Sequence, residues 1–126
     1  MNLKILFKRL ILLDFLIILT IIPTMFFESE EVLNFNENFL ISDSLLILTG
    51  IWLLAVLISF YLLYNFKELG KPMYLVLFIS ELVLSLIMGP LASDAWIFVL
   101  EAIRFAISGA IIFTLYFTPI KKEFDK

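Results

Sequence analysis

The amino-acid sequence predicts an all-α protein, a four-helix transmembrane bundle with its N and C termini in the cytoplasm. Hydrophobic residues make up 63% of the 126 residues and the mean hydropathy is +1.09, whereas a soluble domain has roughly 45–50% apolar residues. The apolar residues fall into four stretches, each near the roughly 20 residues that a helix needs to cross a bilayer. Residues 1–126 are therefore expected to form a single integral membrane domain.

The four spans are predicted at about 3–27, 44–66, 72–88 and 95–117. In the first span Lys4, Lys8 and Arg9 precede the most apolar part, as they would in a signal peptide. The sequence around Pro23 offers no small-residue cleavage site, and Asp14 interrupts the apolar run. The first span is therefore predicted to be an uncleaved anchor.

Residues that favour helix ends stand at the boundaries of the other spans. They are Ser42 or Asp43 as the cap of the second span, Gly70 at a helix C-terminus, Pro72 in the first turn of the third span, Gly89-Pro90 at its end, Asp94 as the cap of the fourth span, and Thr118-Pro119 at its end. Residues 67–71 should then form a tight turn. Residues 28–43 are expected to form an acidic, solvated connector, or a docking surface for a partner or a cation.

The distribution of Lys and Arg predicts the orientation. The N-terminal segment, the 67–71 turn and the tail from Ile120 hold every basic residue except Arg104, while the loops 28–43 and 89–94 hold only acidic charges. Basic loops remain on the cytoplasmic side of a membrane. Both termini are thus predicted to be cytoplasmic, and the third and fourth helices to form an antiparallel hairpin.

Four ionisable residues remain at membrane depth: Asp14, Glu81, Glu101 and Arg104. Each costs at least about 2.5–3.5 kcal/mol at the centre of a lone helix, so each needs a partner or a water-filled site. Glu81 lies about 13 Å from the cytoplasmic side and Arg104 about 12 Å from the opposite side, at 1.5 Å per helical residue. Since both approach the midplane, we expect them to pair across the hairpin.

The fourth span carries a polar stripe around Arg104. The predicted intramembrane polar cluster consists of Glu81, Glu101, Arg104 and Ser108, with Asp94 at the end of the stripe and with Tyr74 and Ser85 on the facing side of the third span. The cluster either fixes the register of the hairpin or lines a polar cavity for an ion, a proton or a small solute. Its excess of carboxylates over arginine favours protons or cations over anions.

Asp14 lies about 6 Å beyond Leu10 along the first helix and faces about 140° away from Arg9. It is interpreted either as an acceptor of a hydrogen bond from another helix or as a candidate proton site.

The other side of the fourth span carries small residues, Ala102, Ala106, Gly109 and Ala110. Such residues let helix backbones approach closely in lipid. They are therefore expected to pack within the bundle.

Two resemblances follow from these features. The segments Gly70-Lys71-Pro72-Met73-Tyr74, Ser108-Gly109-Ala110-Ile111-Ile112, Leu115-Tyr116-Phe117-Thr118-Pro119-Ile120 and Phe124 resemble a pattern in small four-span bacterial membrane proteins of unknown function. This resemblance implies a fold and a location in the bacterial plasma (inner) membrane, but no activity. The architecture, with a carboxylate at Asp14 in the first helix, also resembles that of small multidrug transporters, although the glycine-rich spans of that family are missing.

The expected function is that of a non-enzymatic accessory, assembly or immunity-type subunit that acts through helix contacts. Its partners would be the lipid bilayer, a second copy of the chain, or another membrane protein. The alternative is a proton- or cation-linked small transporter or channel that acts as a homo-oligomer, because four short spans enclose little space.

An enzyme is not expected. The chain has no Cys and no His, which excludes thiolate nucleophiles, imidazole bases, and ligation of zinc or haem through these side chains. No nucleophile and base stand in a recognisable arrangement. No cofactor or metal site is predicted. No nucleic-acid partner is predicted either, because the few basic residues form short clusters next to the membrane that suit anionic lipid.

Overall fold

The computed structural model describes residues 2–24, 27–37, 43–88 and 92–125, and this part of the chain contains helices and no strand. The elements are α1 (Leu3–Thr24), α2 (Glu30–Glu37), α3 (Asp43–Tyr64), α4 (Gly70–Met88), α5 (Ala95–Phe117) and a 3₁₀ helix (Pro119–Glu123). The all-α prediction is confirmed.

Three of these helices are long and apolar enough to cross a membrane. The stretches that qualify are Ile47–Tyr64 in α3, Gly70–Ile87 in α4 and Ala95–Phe117 in α5. Helix α1 has 22 residues, as many as α3, but every 18-residue stretch of it includes Lys8, Arg9 and Asp14. It therefore differs from the other long helices in charge and not in length.

The ends of α5 lie where the sequence predicts them, since the helix runs from Ala95 to Phe117 and Thr118 is extended. Asp94 occupies the N-cap position, but its side chain makes no capping hydrogen bond. The expected boundary residues Ser42 and Gly89-Pro90 lie outside the described residues.

Gly70 does not end a helix, contrary to the prediction. Helix α3 ends at Tyr64, the left-handed residue of the following turn is Phe66 with φ 54°, and Gly70 begins α4. Glycine stands at position 70 because α3 and α4 approach each other closely there. A Cβ atom at Gly70 would lie 3.0 Å from the backbone nitrogen of Leu63 and 3.1 Å from its Cδ2 atom.

The acidic segment 28–43 contains a helix, α2, where the sequence analysis expects a connector. Ser29 precedes this helix, and Glu30 and Glu31 occupy its first turn. Acidic side chains there interact favourably with the positive end of the helix dipole. The two glutamates therefore stabilise the start of α2.

The core lies along α1. Helix α1 packs most extensively against α5 and also against α3, α3 packs against α4, and the contact between α4 and α5 is smaller. The buried apolar residues include Phe7, Ile11 and Ile18 of α1, Val56, Phe60 and Leu63 of α3, and Ile107, Ile111 and Leu115 of α5.

One end of the bundle, here called the basic end, is closed by three aromatic rings. Phe7 of α1, Phe66 of the α3–α4 turn and Phe124 after the 3₁₀ helix form a triangle whose ring centroids are 5.3–5.9 Å apart. Phe7 and Phe124 are almost fully buried. The C-terminal residues therefore fold back against the helices and form part of the core.

The small residues of α5 do not pack within the bundle, so this expectation is wrong. Ala102, Ala106, Gly109 and Ala110 are all exposed, and a Cβ atom at Gly109 would meet nothing within 4 Å. The physical reason is the rotation of α5, which buries Arg104 and Ser108 together with Ile107, Ile111 and Leu115. The small residues consequently form an exposed stripe.

We predict that Gly70→Ala destabilises the protein by about 1–3 kcal/mol, because the added methyl group overpacks the contact with Leu63. Gly50→Ala is the matched control, since a Cβ atom there meets nothing within 4 Å and alanine is the better helix former. Thermal unfolding in detergent measures both. Equal melting temperatures for the two variants would contradict the close approach at Gly70.

Candidate functional site

The buried ion pair between Arg104 and Glu81 joins α5 to α4. The guanidinium donates from Nη1 to Oε1 of Glu81, and from Nη2 to Oε2 over 2.8 Å. This two-point contact fixes the direction of both side chains. Arg104 is only 8% exposed, so its charge depends on carboxylates of the protein rather than on water.

Asp14 brings α1 to the same guanidinium. Its Oδ1 atom lies 3.6 Å from Nε of Arg104. Its Oδ2 atom accepts a hydrogen bond from the Tyr74 hydroxyl at 2.7 Å and another from the Ser108 hydroxyl at 3.2 Å. Asp14 is fully buried. We refer to Asp14, Tyr74, Glu81, Arg104 and Ser108 as the polar cluster.

Helix α3 meets the polar cluster through Trp52. The Trp52 indole N–H donates to Oγ of Ser80 at 2.9 Å, and the Ser80 hydroxyl donates in turn to a backbone carbonyl of α4 at 2.8 Å. The ring centroid of Trp52 lies 5.9 Å from Cζ of Arg104, within the range of a cation–π interaction. All four long helices therefore contribute to the surroundings of one charge.

A small cavity adjoins the polar cluster. It has a volume of about 10 Å³ and is lined in part by Trp52, Tyr74, Glu81, Arg104 and Ser108. That volume corresponds to about one water molecule. Two buried atoms of the cluster, Oδ1 of Asp14 and Nε of Arg104, have no hydrogen-bond partner. The cavity can therefore hold one water molecule, but no larger solute.

The structure brings together only some of the residues of the predicted cluster. Glu81 contacts Arg104, while Ser108 bonds to Asp14. Glu101 is half-buried and makes no hydrogen bond or ion pair with the described residues. It lies about one helical turn from Arg104, towards the N-terminus of α5, and the second carboxylate beside Arg104 is that of Asp14. Ser85 is exposed and donates to the backbone carbonyl of Glu81.

The sequence analysis placed Tyr74 on the facing side of the third span but did not predict its hydrogen bond to Asp14, and it missed the contact of Trp52. Tyr74 stands on the face of α4 that carries Glu81, seven residues earlier, and this helical spacing was the available signal. No local signal identifies Trp52, because its partner Ser80 is 28 residues away.

Polar bonds also join the loops at the other end of the bundle, here called the acidic end. The carboxylate of Asp94 accepts from the backbone N–H of Ser29 at 3.0 Å and from its hydroxyl at 2.9 Å. The amide of Asn36 exchanges two hydrogen bonds with the backbone of Ala92, at 2.9 and 3.0 Å. Partial burial raises the pKa of the Glu28 carboxyl, and the charge of Asp94 raises it further.

The polar cluster can hold opposite charges next to one another inside the bundle. Its carboxylates face one guanidinium and two hydroxyls, and within the described part of the chain no group of three acidic side chains is placed to bind a metal ion. These groups can therefore either exchange protons or hold α1, α4 and α5 together.

We predict that Arg104→Gln destabilises the bundle by about 2–4 kcal/mol, because it leaves Glu81 and Asp14 buried without their counter-ion. Glu81→Gln together with Arg104→Gln should cost less than the two single changes combined, by about 1 kcal/mol or more. Unfolding in detergent provides the four measurements of the cycle.

The control cycle uses the pair of Lys71 and Asp125, whose Nζ and Oδ1 atoms are 2.7 Å apart at a more exposed site. Its coupling should lie between about 0 and 1 kcal/mol. Strict additivity of the changes at residues 81 and 104 would contradict the contact between these side chains.

Comparison of the chain with protein-family models, with curated proteins and with solved structures found no match. The function must therefore be inferred from the geometry of the chain itself.

Proposed function

We propose that α1, α3, α4 and α5 all cross the bacterial plasma membrane, with both termini on the cytoplasmic side. Of these four helices, α1 is the one that does not qualify as a span by length and composition, and its charges are the reason. Its basic residues Lys4 and Lys8 lie at the basic end, where they contact Glu123 and the ring of Tyr64, and Asp14 has a counter-ion in Arg104. Lys4, Lys8 and Asp14 thus have partners within the protein, which supports the insertion of α1 as a fourth span.

The same proposal makes α4 and α5 an antiparallel hairpin. Two contacts support this direction: Glu81 meets Arg104, and Phe78, which precedes Glu81, meets Phe105, which follows Arg104, with ring centroids 6.1 Å apart. Residue numbers therefore rise along one helix as they fall along the other.

Within this membrane domain, the geometry favours a non-enzymatic accessory or assembly subunit that acts through helix contacts. The observation that carries this proposal is the small size of the cavity at the polar cluster, about 10 Å³. The charges bind one another and leave no space for a solute, as expected when they hold helices together.

Two exposed apolar features would give a second membrane helix a place to pack. One is the small-residue stripe of α5, which includes Ala106 and Gly109. The other is a groove of about 570 Å³ between α3 and α4, whose walls include Ile51, Val76 and Val83. Small residues let backbones approach closely in lipid, so the stripe is the stronger candidate for contact with a partner.

Proton-linked transport is the second candidate function. It is favoured by the fully buried carboxyl group of Asp14, because its Oδ1 atom accepts no hydrogen bond and has a lone pair that can take up a proton. A homo-oligomer would be needed for this function, since one chain encloses so little space.

The topology is tested with single cysteines at exposed positions, in a chain that has none of its own. We predict that Glu31→Cys reacts with an impermeant maleimide in intact cells. Glu68→Cys and Lys122→Cys should react only after permeabilisation, because they lie at the basic end. Reaction of the latter two from outside would contradict the proposed orientation.

The choice between the two functions is tested by reconstitution in liposomes. The accessory role predicts no proton flux above that of protein-free liposomes. It also predicts that Gly109→Leu, on the small-residue stripe, releases a membrane protein that co-purifies with the natural chain in mild detergent. Val99→Leu, at another exposed position of α5, is the matched control and should retain it. Proton flux that disappears in Asp14→Asn would instead establish the transport function.

A further inference from the structure

Four basic side chains at the basic end have no partner in the described part of the chain. The acidic residues Glu123 and Asp125 are engaged by Lys4 and Lys71, each at 2.7 Å. Lys8 lies over the rings of Tyr64 and Phe66. The side chains left without an ion pair, a hydrogen bond or a cation–π contact are Arg9, Lys67, Lys121 and Lys122, and all four are exposed. Among the acidic residues of this end, only Glu68 opposes them without a pair of its own. The free charge at this end is thus clearly positive.

These side chains come from three segments that meet at the basic end of the bundle. Arg9 belongs to α1, Lys67 to the α3–α4 turn, and Lys121 and Lys122 to the 3₁₀ helix after α5. The aromatic triangle of Phe7, Phe66 and Phe124 lies between these three segments. Charges from three segments that meet at one end of the bundle suit a flat layer of anions.

The apolar exterior of the bundle continues up to these charges. Arg9 lies on the face of α1 that exposes Ile5 and Leu13, at a spacing of four residues in each direction. At the same end α3 exposes Tyr61, at 68%. Amphipathic aromatic rings of this kind concentrate at the level of the lipid headgroups. Arg9 therefore stands where hydrocarbon gives way to headgroups, and its guanidinium needs an anion at that depth.

We propose that the basic end binds the phosphates of anionic phospholipids through Arg9, Lys67, Lys121 and Lys122. This inference rests on the four-span placement proposed above. A guanidinium can take a phosphate in two-point fashion, whereas lysine acts as a point charge. The attraction acts within about a Debye length of the anionic surface and is weakened by salt. The bound headgroups would hold α1, the α3–α4 turn and the C-terminal residues together.

The test is the melting temperature of the full chain in nanodiscs of phosphatidylcholine alone or of an equal mixture with phosphatidylglycerol. We expect the mixture to raise the melting temperature by about 4–8 °C, and high salt to remove most of this rise. The combined variant Arg9→Gln, Lys67→Gln, Lys121→Gln and Lys122→Gln should melt at the same temperature in both lipids.

The matched control is Lys4→Gln with Lys71→Gln, which removes charges of the same sign that are paired within the protein. It should melt earlier in both lipids and keep the difference between them. The proposal is overturned if the natural chain shows no difference, or if the combined variant keeps it. It is also overturned if free inorganic phosphate in detergent gives the same rise, since the site would then bind a soluble anion.

Cysteine labelling in intact cells, before and after permeabilisation, separates this failure from that of the topology. A wrong orientation would change the reactivity of Glu31→Cys and Glu68→Cys. A wrong lipid assignment would leave that reactivity unchanged and remove only the difference in melting temperature.

Discussion

The position of Arg104 determines how the long helices are arranged. Its side chain is buried between carboxylates of two other helices, Glu81 on α4 and Asp14 on α1. A buried guanidinium without a carboxylate would cost several kcal/mol, so neither partner helix can rotate far or slide by a turn. This one directed interaction joins α4 to α5, whose remaining contact is limited, and Asp14 brings α1 to the same guanidinium.

Sequence alone predicts those contacts that follow from the depth of a residue along its helix. Glu81 and Arg104 could be matched because helical rise fixes the depth of each residue, and these side chains are in contact. The partner of Asp14 was not predictable, because depth does not reveal which helix lies beside α1. Burial of Asp14 with exposure of Arg9 does agree with their angular offset on the helix. Gly70 was misassigned because its close neighbour, Leu63, lies on another helix.

The two ends of the bundle are closed by different physical means. At the basic end, aromatic rings and ion pairs hold the C-terminal residues against α1 and α3. At the acidic end, hydrogen bonds join the loops, because the Asn36 amide pairs with the backbone of Ala92 and the Asp94 carboxylate with Ser29. Salt weakens these hydrogen bonds less than it weakens exposed ion pairs. The contrast matches the two aqueous faces that the proposed topology assigns to the ends.

The distance in sequence between Asp14 and Arg104 has a consequence for synthesis of the protein. The two residues are 90 positions apart, and a ribosome adds about 5–20 residues per second, so Asp14 waits roughly 5–18 s for its counter-ion. During this interval α1 carries a carboxyl group that no later helix has yet neutralised. The pairing of Asp14 with Arg104 is therefore completed only after α5 has been synthesised.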